Sequence, residues 1–255
     1  MFFIDVQGTL ISDFDKNLIN GAKEFIDFLN LKNYPYVVIT NNTKDLNFLS
    51  YLQNKGLDIK NDFYIDPFCV LNDILKPCKV AVYGSLEFKQ SLQKLDYILD
   101  FNNPSAVLLS SYDDFKFDDF ASIIEFAKKG IKIIPMHESS IYKKNNRLYP
   151  GIGSIMAMIK NASNCDFEVV GKPSLNFYNK ALDILKKIDK NINFKDISII
   201  SDDFNGDLLV AKKLNMKCNL VLSGKISSKN EVNFQILDGV YSDIGEYLKE
   251  ALCKN

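Results

Sequence analysis

Short runs of Phe, Ile, Val and Leu recur along this chain of 255 residues, each parted from the next by a longer amphipathic stretch, and few folds accept that alternation. Met1-Phe2-Phe3-Ile4 reads as a buried strand. From Asn20 to Asn33 the side chains of Ala22, Phe25, Ile26 and Leu29 fall at helical spacing, and Tyr36-Val37-Val38-Ile39-Thr40 reads as a second buried strand. The pattern continues with a helix from about Lys44 to Asn54, a strand Lys79 to Tyr83, a helix from about Ser85 and a strand Ala106 to Leu109. An amphipathic helix between Phe117 and Gly130, a strand Ile131 to Pro135 and a polar loop ending at Tyr149-Pro150-Gly151 come next. Further strands are expected at Phe167 to Val170, Ile197 to Ile200 and Lys217 to Leu222. Strands that are apolar at consecutive positions are covered on both faces, so the chain is predicted to be α/β, with a parallel sheet between helices.

Composition narrows the partners. A hydrophobic content of 47% supports a sizeable core, while 25% charged residues with a net charge of −1 leave no strong field for nucleic acid or an anionic membrane. No apolar run reaches the length that spans a bilayer, and the N-terminus carries no basic segment followed by a hydrophobic stretch, so a cytoplasmic location is expected. The five cysteines, Cys69, Cys78, Cys165, Cys218 and Cys253, form no Cys-x-x-Cys pair, which argues against a disulfide framework or a zinc site. A small-molecule partner fits best, and a homodimer is compatible with this reading.

Chemistry is expected where the strands end, because ligands of open parallel sheets bind beyond the carboxyl ends of the strands. Asp5, Thr40, Lys172 and Asp202 stand at four such ends: a carboxylate nucleophile, a hydroxyl donor, a cation and a second carboxylate suited to a metal. Phosphoryl transfer needs positioning and charge neutralisation, which these residue types provide. Each has a plainer reading alone. Asp5 could be an ordinary strand-end carboxylate, Thr40 with Asn41-Asn42 a turn and helix cap, Lys172 a loop lysine, and Ser201-Asp202-Asp203 the cap of a helix near Asn205. Their occurrence together, in order, favours the chemical reading.

The ordered set Asp5-Val6-Gln7-Gly8-Thr9, Thr40-Asn41-Asn42, Gly171-Lys172-Pro173 and Ser201-Asp202-Asp203 resembles the motifs of haloacid dehalogenase superfamily phosphatases. Val-Ile-Thr-Asn-Asn-Thr, Pro150-Gly151-x-Gly153 and Val-Gly-Lys-Pro resemble its NagD-like branch. The resemblance implies a Rossmann-like core from residues 1–66 and 165–255, with an inserted α/β cap at residues 67–164. It further implies that Asp5 attacks phosphorus and becomes an aspartyl-phosphate, with Thr40, Asn41 and Lys172 binding the phosphoryl oxygens. Magnesium would be held by Asp5, Asp202 and the backbone carbonyl of Gln7, supported from behind by Asp207 or Asp203.

One position departs from the pattern. Where such phosphatases carry a second aspartate that protonates the leaving oxygen and then activates water, this chain has Gln7, whose amide exchanges no proton near neutral pH. The expectation is a phosphatase of weakened hydrolysis, with a non-catalytic phosphometabolite-binding or regulatory protein as the alternative; a receiver-like phosphoacceptor domain would leave the middle segment unexplained. His137, the sole histidine, could replace the missing acid, although a surface loop position is the plainer expectation. Arg147 could grip an anion or be an ordinary exposed arginine. Phe115, Phe117 and Phe120 are expected to pack the middle unit rather than stack on a ligand.

Overall fold

The computed structural model describes residues 1–144 and 147–252; Cys253 lies outside the described residues. Among the described residues twelve strands form three sheets. The first sheet holds β1 (Phe2–Asp5), β2 (Tyr36–Ile39) and β3 (Tyr64–Ile65), and its other half comes from β10 (Ser198–Ser201), β11 (Lys217–Val221) and β12 (Gly239–Tyr241). The second holds β4 (Lys79–Tyr83), β5 (Ile98–Leu99), β6 (Ala106–Leu109) and β7 (Lys132–Pro135), and the third is an antiparallel hairpin of β8 (Ile141–Lys144) and β9 (Arg147–Pro150).

In the first sheet the order is β12-β11-β10-β1-β2-β3, with every pair parallel. All four residues of β1 and of β2 are buried, as expected of strands covered on both faces. The second sheet, β5-β4-β6-β7, is also parallel. One apolar cluster joins the two: Phe3, Val37 and Ile39 of the first sheet belong with Val80, Val82 and Leu108 of the second. Phe68 and Leu71 of the helix Pro67–Ile74, and Phe177 and Leu185 of the helix Leu175–Lys186, complete it. Local chemistry starts these helices. Asp66 accepts from the amide of Cys69 with Pro67 at the first helical position, and Ser174 accepts from the amide of Phe177.

The structure corrects several expected elements. The helix predicted from Lys44 begins at Phe48, because Asp45 accepts from the amide of Asn47 (2.9 Å) and its carbonyl accepts from Asn42 (3.1 Å), which holds the preceding residues in turns. The strand expected at Phe167 to Val170 is only a single bridge from Phe167 to Ile133. Val170 donates to the carbonyl of Pro135, but Pro135 has no N–H to return the next ladder bond. The polar loop before Gly151 contains the β8–β9 hairpin, with Tyr142 and Tyr149 paired across it and stacked at 5.4 Å. Phe115 and Phe120 stack at 5.3 Å against the apolar cluster under the second sheet, whereas Phe117 is 88% exposed, contrary to the packing role expected of it.

Candidate active site

Strand register gathers the predicted residues. Ile4 lies opposite Ile200 and Asp5 opposite Ile39, so Thr40 and Asp202 emerge just beyond Asp5 on either side, where the strand order reverses between β1 and its two neighbours. Asp5, Thr40, Lys172, Asp202 and Asp207 are all buried.

Lys172 links the two halves of the chain. Its ammonium donates to Oδ1 of Asp5 (2.5 Å) and to Oδ2 of Asp207 (2.7 Å), and Ser201 also donates to that oxygen of Asp207 (2.7 Å). Burial alone would lower the Lys172 pKa, but the charges of Asp207 and Asp5 outweigh it and keep the ammonium protonated. Asn41 positions this lysine from the backbone: its Oδ1 accepts from the Lys172 amide (2.8 Å), and its Nδ2 donates to the Lys172 carbonyl (3.2 Å).

Asp202 and Asp203 divide the two readings offered for their motif. Asp203 caps the following helical segment by accepting from the amide of Gly206 (2.8 Å), and its other oxygen pairs with the ammonium of Lys225. Despite burial, the Lys225 charge holds the Asp203 carboxyl below its usual range. Asp202 instead accepts from the amide of Lys225 (2.7 Å). Burial, and then the negative charge of Asp5, push the Asp202 carboxyl well above the usual range.

Two buried carboxylates that repel each other in this way suit a hard dication, so the donor set fits magnesium. Among the described residues no three carboxylate, histidine or cysteine side chains converge as a metal cluster. A cation held between Asp5 and Asp202 would draw its remaining oxygens from backbone and water.

Gln7 is held as an amide. Its Oε1 accepts from the hydroxyl of Thr40 (2.9 Å), whose oxygen in turn accepts from the amide of Asn42 (3.1 Å). The turn after Gln7 is closed by Gly8 at φ +76°, a conformation that favours glycine, and a Cβ there would overlap the Asp202 carboxylate. Gly224 packs on the same carboxylate, and Ser223 donates to the Gly8 carbonyl (2.7 Å).

His137, expected on a surface loop, is only 6% exposed. It follows β7, whose carboxyl end faces the same space as the ends of β1 and β2. Its Nδ1 accepts from the amide of Ser139 (3.3 Å), so Nε2 carries the proton and faces Ser111 Oγ at 3.2 Å. Burial, reinforced by the charges of Lys225 and Lys172, lowers its pKa to about 4. Gln7, Asn41, Lys44, Ser111 and His137 line a cavity of about 350 Å³ between the two sheets. Lys225 and Tyr142 line its continuation. Arg147 lies away from it, exposed over the ring of Tyr149. Lys225 and Ser111 had no motif to reveal them, and their roles come from contacts with residues more than twenty positions away; Ser201 stood in a motif, but its bond to Asp207 did not.

Comparison with known proteins agrees with this fold. A model of the haloacid dehalogenase-like hydrolases matches residues 2–98, and a second HAD-hydrolase-like model matches residues 169–246, together more than half of the chain. The acid sugar phosphatases of Staphylococcus saprophyticus and Staphylococcus aureus are 22% identical, over 98% of this chain and 96% of theirs. NagD from Escherichia coli K-12 shares the fold with a TM-score of 0.75 at 22% identity, covering 96% of each chain. The p-nitrophenyl phosphatase from Archaeoglobus fulgidus does so with a TM-score of 0.82 at 20% identity, covering 97% of each. This chain belongs to the haloacid dehalogenase-like hydrolases.

Proposed function

We propose that this protein is a magnesium-dependent phosphatase that acts on a small phosphorylated metabolite through an aspartyl-phosphate on Asp5. The observation that carries this reading is the Lys172 ammonium bonded to Oδ1 of Asp5 at the switch point of the sheet, with Asp202 alongside. Oδ1 is tethered, so Oδ2 is the attacking oxygen: it forms the bond to phosphorus as the bond to the leaving oxygen breaks. Asp5, Asp202 and the carbonyl of Gln7 would hold magnesium, which would supply charge neutralisation at the phosphoryl oxygens. Thr40, the backbone that follows it and Lys172 bind those oxygens; Asn41 acts by fixing the Lys172 backbone, and Asp207 holds the lysine from behind.

The unit built on the second sheet, residues 67–164, is the cap that shapes the substrate cavity. The names of the Staphylococcus and Archaeoglobus relatives support a phosphomonoester substrate. With Gln7 in place of an acid–base aspartate, turnover of ordinary esters is expected to be about 10²- to 10⁴-fold below that of a complete site. The test is p-nitrophenyl phosphate hydrolysis with magnesium, compared with Asp5→Asn. Turnover should fall at least about 10³-fold in the variant; equal turnover in the two proteins would remove Asp5 from the chemistry.

A further inference from the structure

Resting on the phosphatase reading above, we infer that Phe48 and Tyr51 determine specificity, selecting phosphomonoesters whose leaving portion carries a planar aromatic or heteroaromatic ring. The helix Phe48–Asn54 buries Leu52 in the core. It leaves Phe48 half-buried and Tyr51 38% exposed, and both line the cavity that also holds Gln7 and His137. Their rings are parallel to within 13° with centroids 5.7 Å apart, and the Lys55 ammonium lies 5.4 Å from the Tyr51 centroid. With Ile11 they give this cavity an apolar, aromatic wall. An exposed tyrosine on a helix needs no ligand to explain it. What distinguishes this one is that it and its stacked partner line the same space as Gln7, where a flat ligand can extend the stack and cover the exposed ring.

The phosphoryl site and this wall belong to one continuous segment. Thr40 Oγ1 accepts from the Asn42 amide (3.1 Å), Asn42 Nδ2 donates to the Asp45 carbonyl (3.1 Å), and the Asp45 side chain accepts from the Asn47 amide (2.9 Å). Thr43 is fastened to Ser110, and the Lys44 carbonyl accepts from Ser91 (3.2 Å). A phosphoryl group bound at Asp5 and Thr40 therefore has the aromatic wall at a set reach. Lys16, Lys44 and Asp45 bring charges of both signs to the cavity, and Asp13 and Asp113 oppose Lys44 and Lys225 in its continuation. Opposed charges set up no field that selects a second anionic group, so the apolar wall is the surface that discriminates. The volume, about 350 Å³, suits a small ligand.

The experiment compares adenosine 5′-monophosphate with ribose 5-phosphate, which present the same primary phosphate ester and differ in the base, so any effect of Gln7 on the chemistry is common to both. Calorimetric titration of the whole protein with magnesium should give the nucleotide a Kd about tenfold lower or more, and inorganic phosphate should displace it. Phe48→Leu and Tyr51→Leu should each bring the ratio of the two affinities toward one, whereas Tyr51→Phe should retain it. The comparison on the natural protein needs no variant, so misfolding of a variant does not decide the result. Equal affinities in the natural protein, failure of phosphate to displace the nucleotide, or a ratio unchanged in both leucine variants overturns the inference and leaves the Asp5 reading standing. Hydrolysis of p-nitrophenyl phosphate by Asp5→Asn as fast as by the natural protein overturns the two together.

Discussion

At the scale of single residues, the environment of a side chain decides what its chemical type can do. His137 has an ordinary pKa of 6.5, but burial first and the Lys225 and Lys172 charges second lower it to about 4, with Asp203 the one opposing charge. A depressed histidine pKa means that the unfolded chain binds more protons than the folded one between these values. Its contribution to stability is therefore complete above pH 6.5 and is lost as pH falls toward 4. Replacing it by glutamine removes that dependence: the stability of the natural protein relative to His137→Gln should drop by on the order of 2 kcal/mol between pH 7 and pH 5. Urea unfolding of both proteins at the two pH values measures it, and an unchanged difference would mean that His137 reaches solvent. Gln7 shows the converse, since an amide has no proton to exchange in any environment and its chemical limit could be read from the sequence.

Elements position these residues through their ends. β1, β2 and β10 contribute Asp5, Thr40 and Asp202 because parallel register brings three carboxyl ends level. The turn after β11 then fixes Asp202, with the Lys225 amide on its oxygen, Ser223 on the Gly8 carbonyl, and Gly224 against the carboxylate. A Cβ at Gly224 would force Asp202 to move. Gly224→Ala should weaken magnesium binding by tenfold or more, measured by calorimetric titration, while Ser223→Ala, which removes one hydrogen bond, should cost only about 1 kcal/mol of stability. Magnesium affinity unchanged in Gly224→Ala would show that Asp202 is not a ligand. Element boundaries were the less legible part of the sequence. The turn chemistry at Asp45 and the missing N–H of Pro135 override hydrophobic periodicity, and β3, β5 and β12, of two or three residues each, are too short to carry a period.

Across the whole molecule, the two parallel sheets share a single apolar cluster and meet again through polar contacts, among them the paired hydroxyls of Thr43 and Ser110 and the Ser91 hydroxyl on the Lys44 carbonyl (3.2 Å). Side chains packed in one continuous interior lose their contacts together. Calorimetry should therefore record one cooperative unfolding transition, and Leu108→Ala, in the second sheet, should lower its midpoint as a whole at a cost of about 3 kcal/mol. Two resolved transitions would show that the units fold independently. Among the described residues no helix is long and apolar enough to cross a membrane.

The α/β class, the longer parallel strands of both sheets and the set Asp5, Thr40, Lys172 and Asp202 were legible in the sequence itself. Burial on both faces writes each strand as a local apolar run, and a parallel sheet places its chemistry at the residues that follow such runs. Only the tertiary structure decided that His137 is buried and neutral, that Lys225 clamps Asp202 and Asp203, and that Asn41 holds the Lys172 backbone. Asn41 and Lys172 are 131 positions apart, and their contact exists only after the intervening chain has folded back. Desolvation and charge proximity act through space, so a protonation state or an ion pair between distant segments leaves no periodic signal in the order of the amino acids.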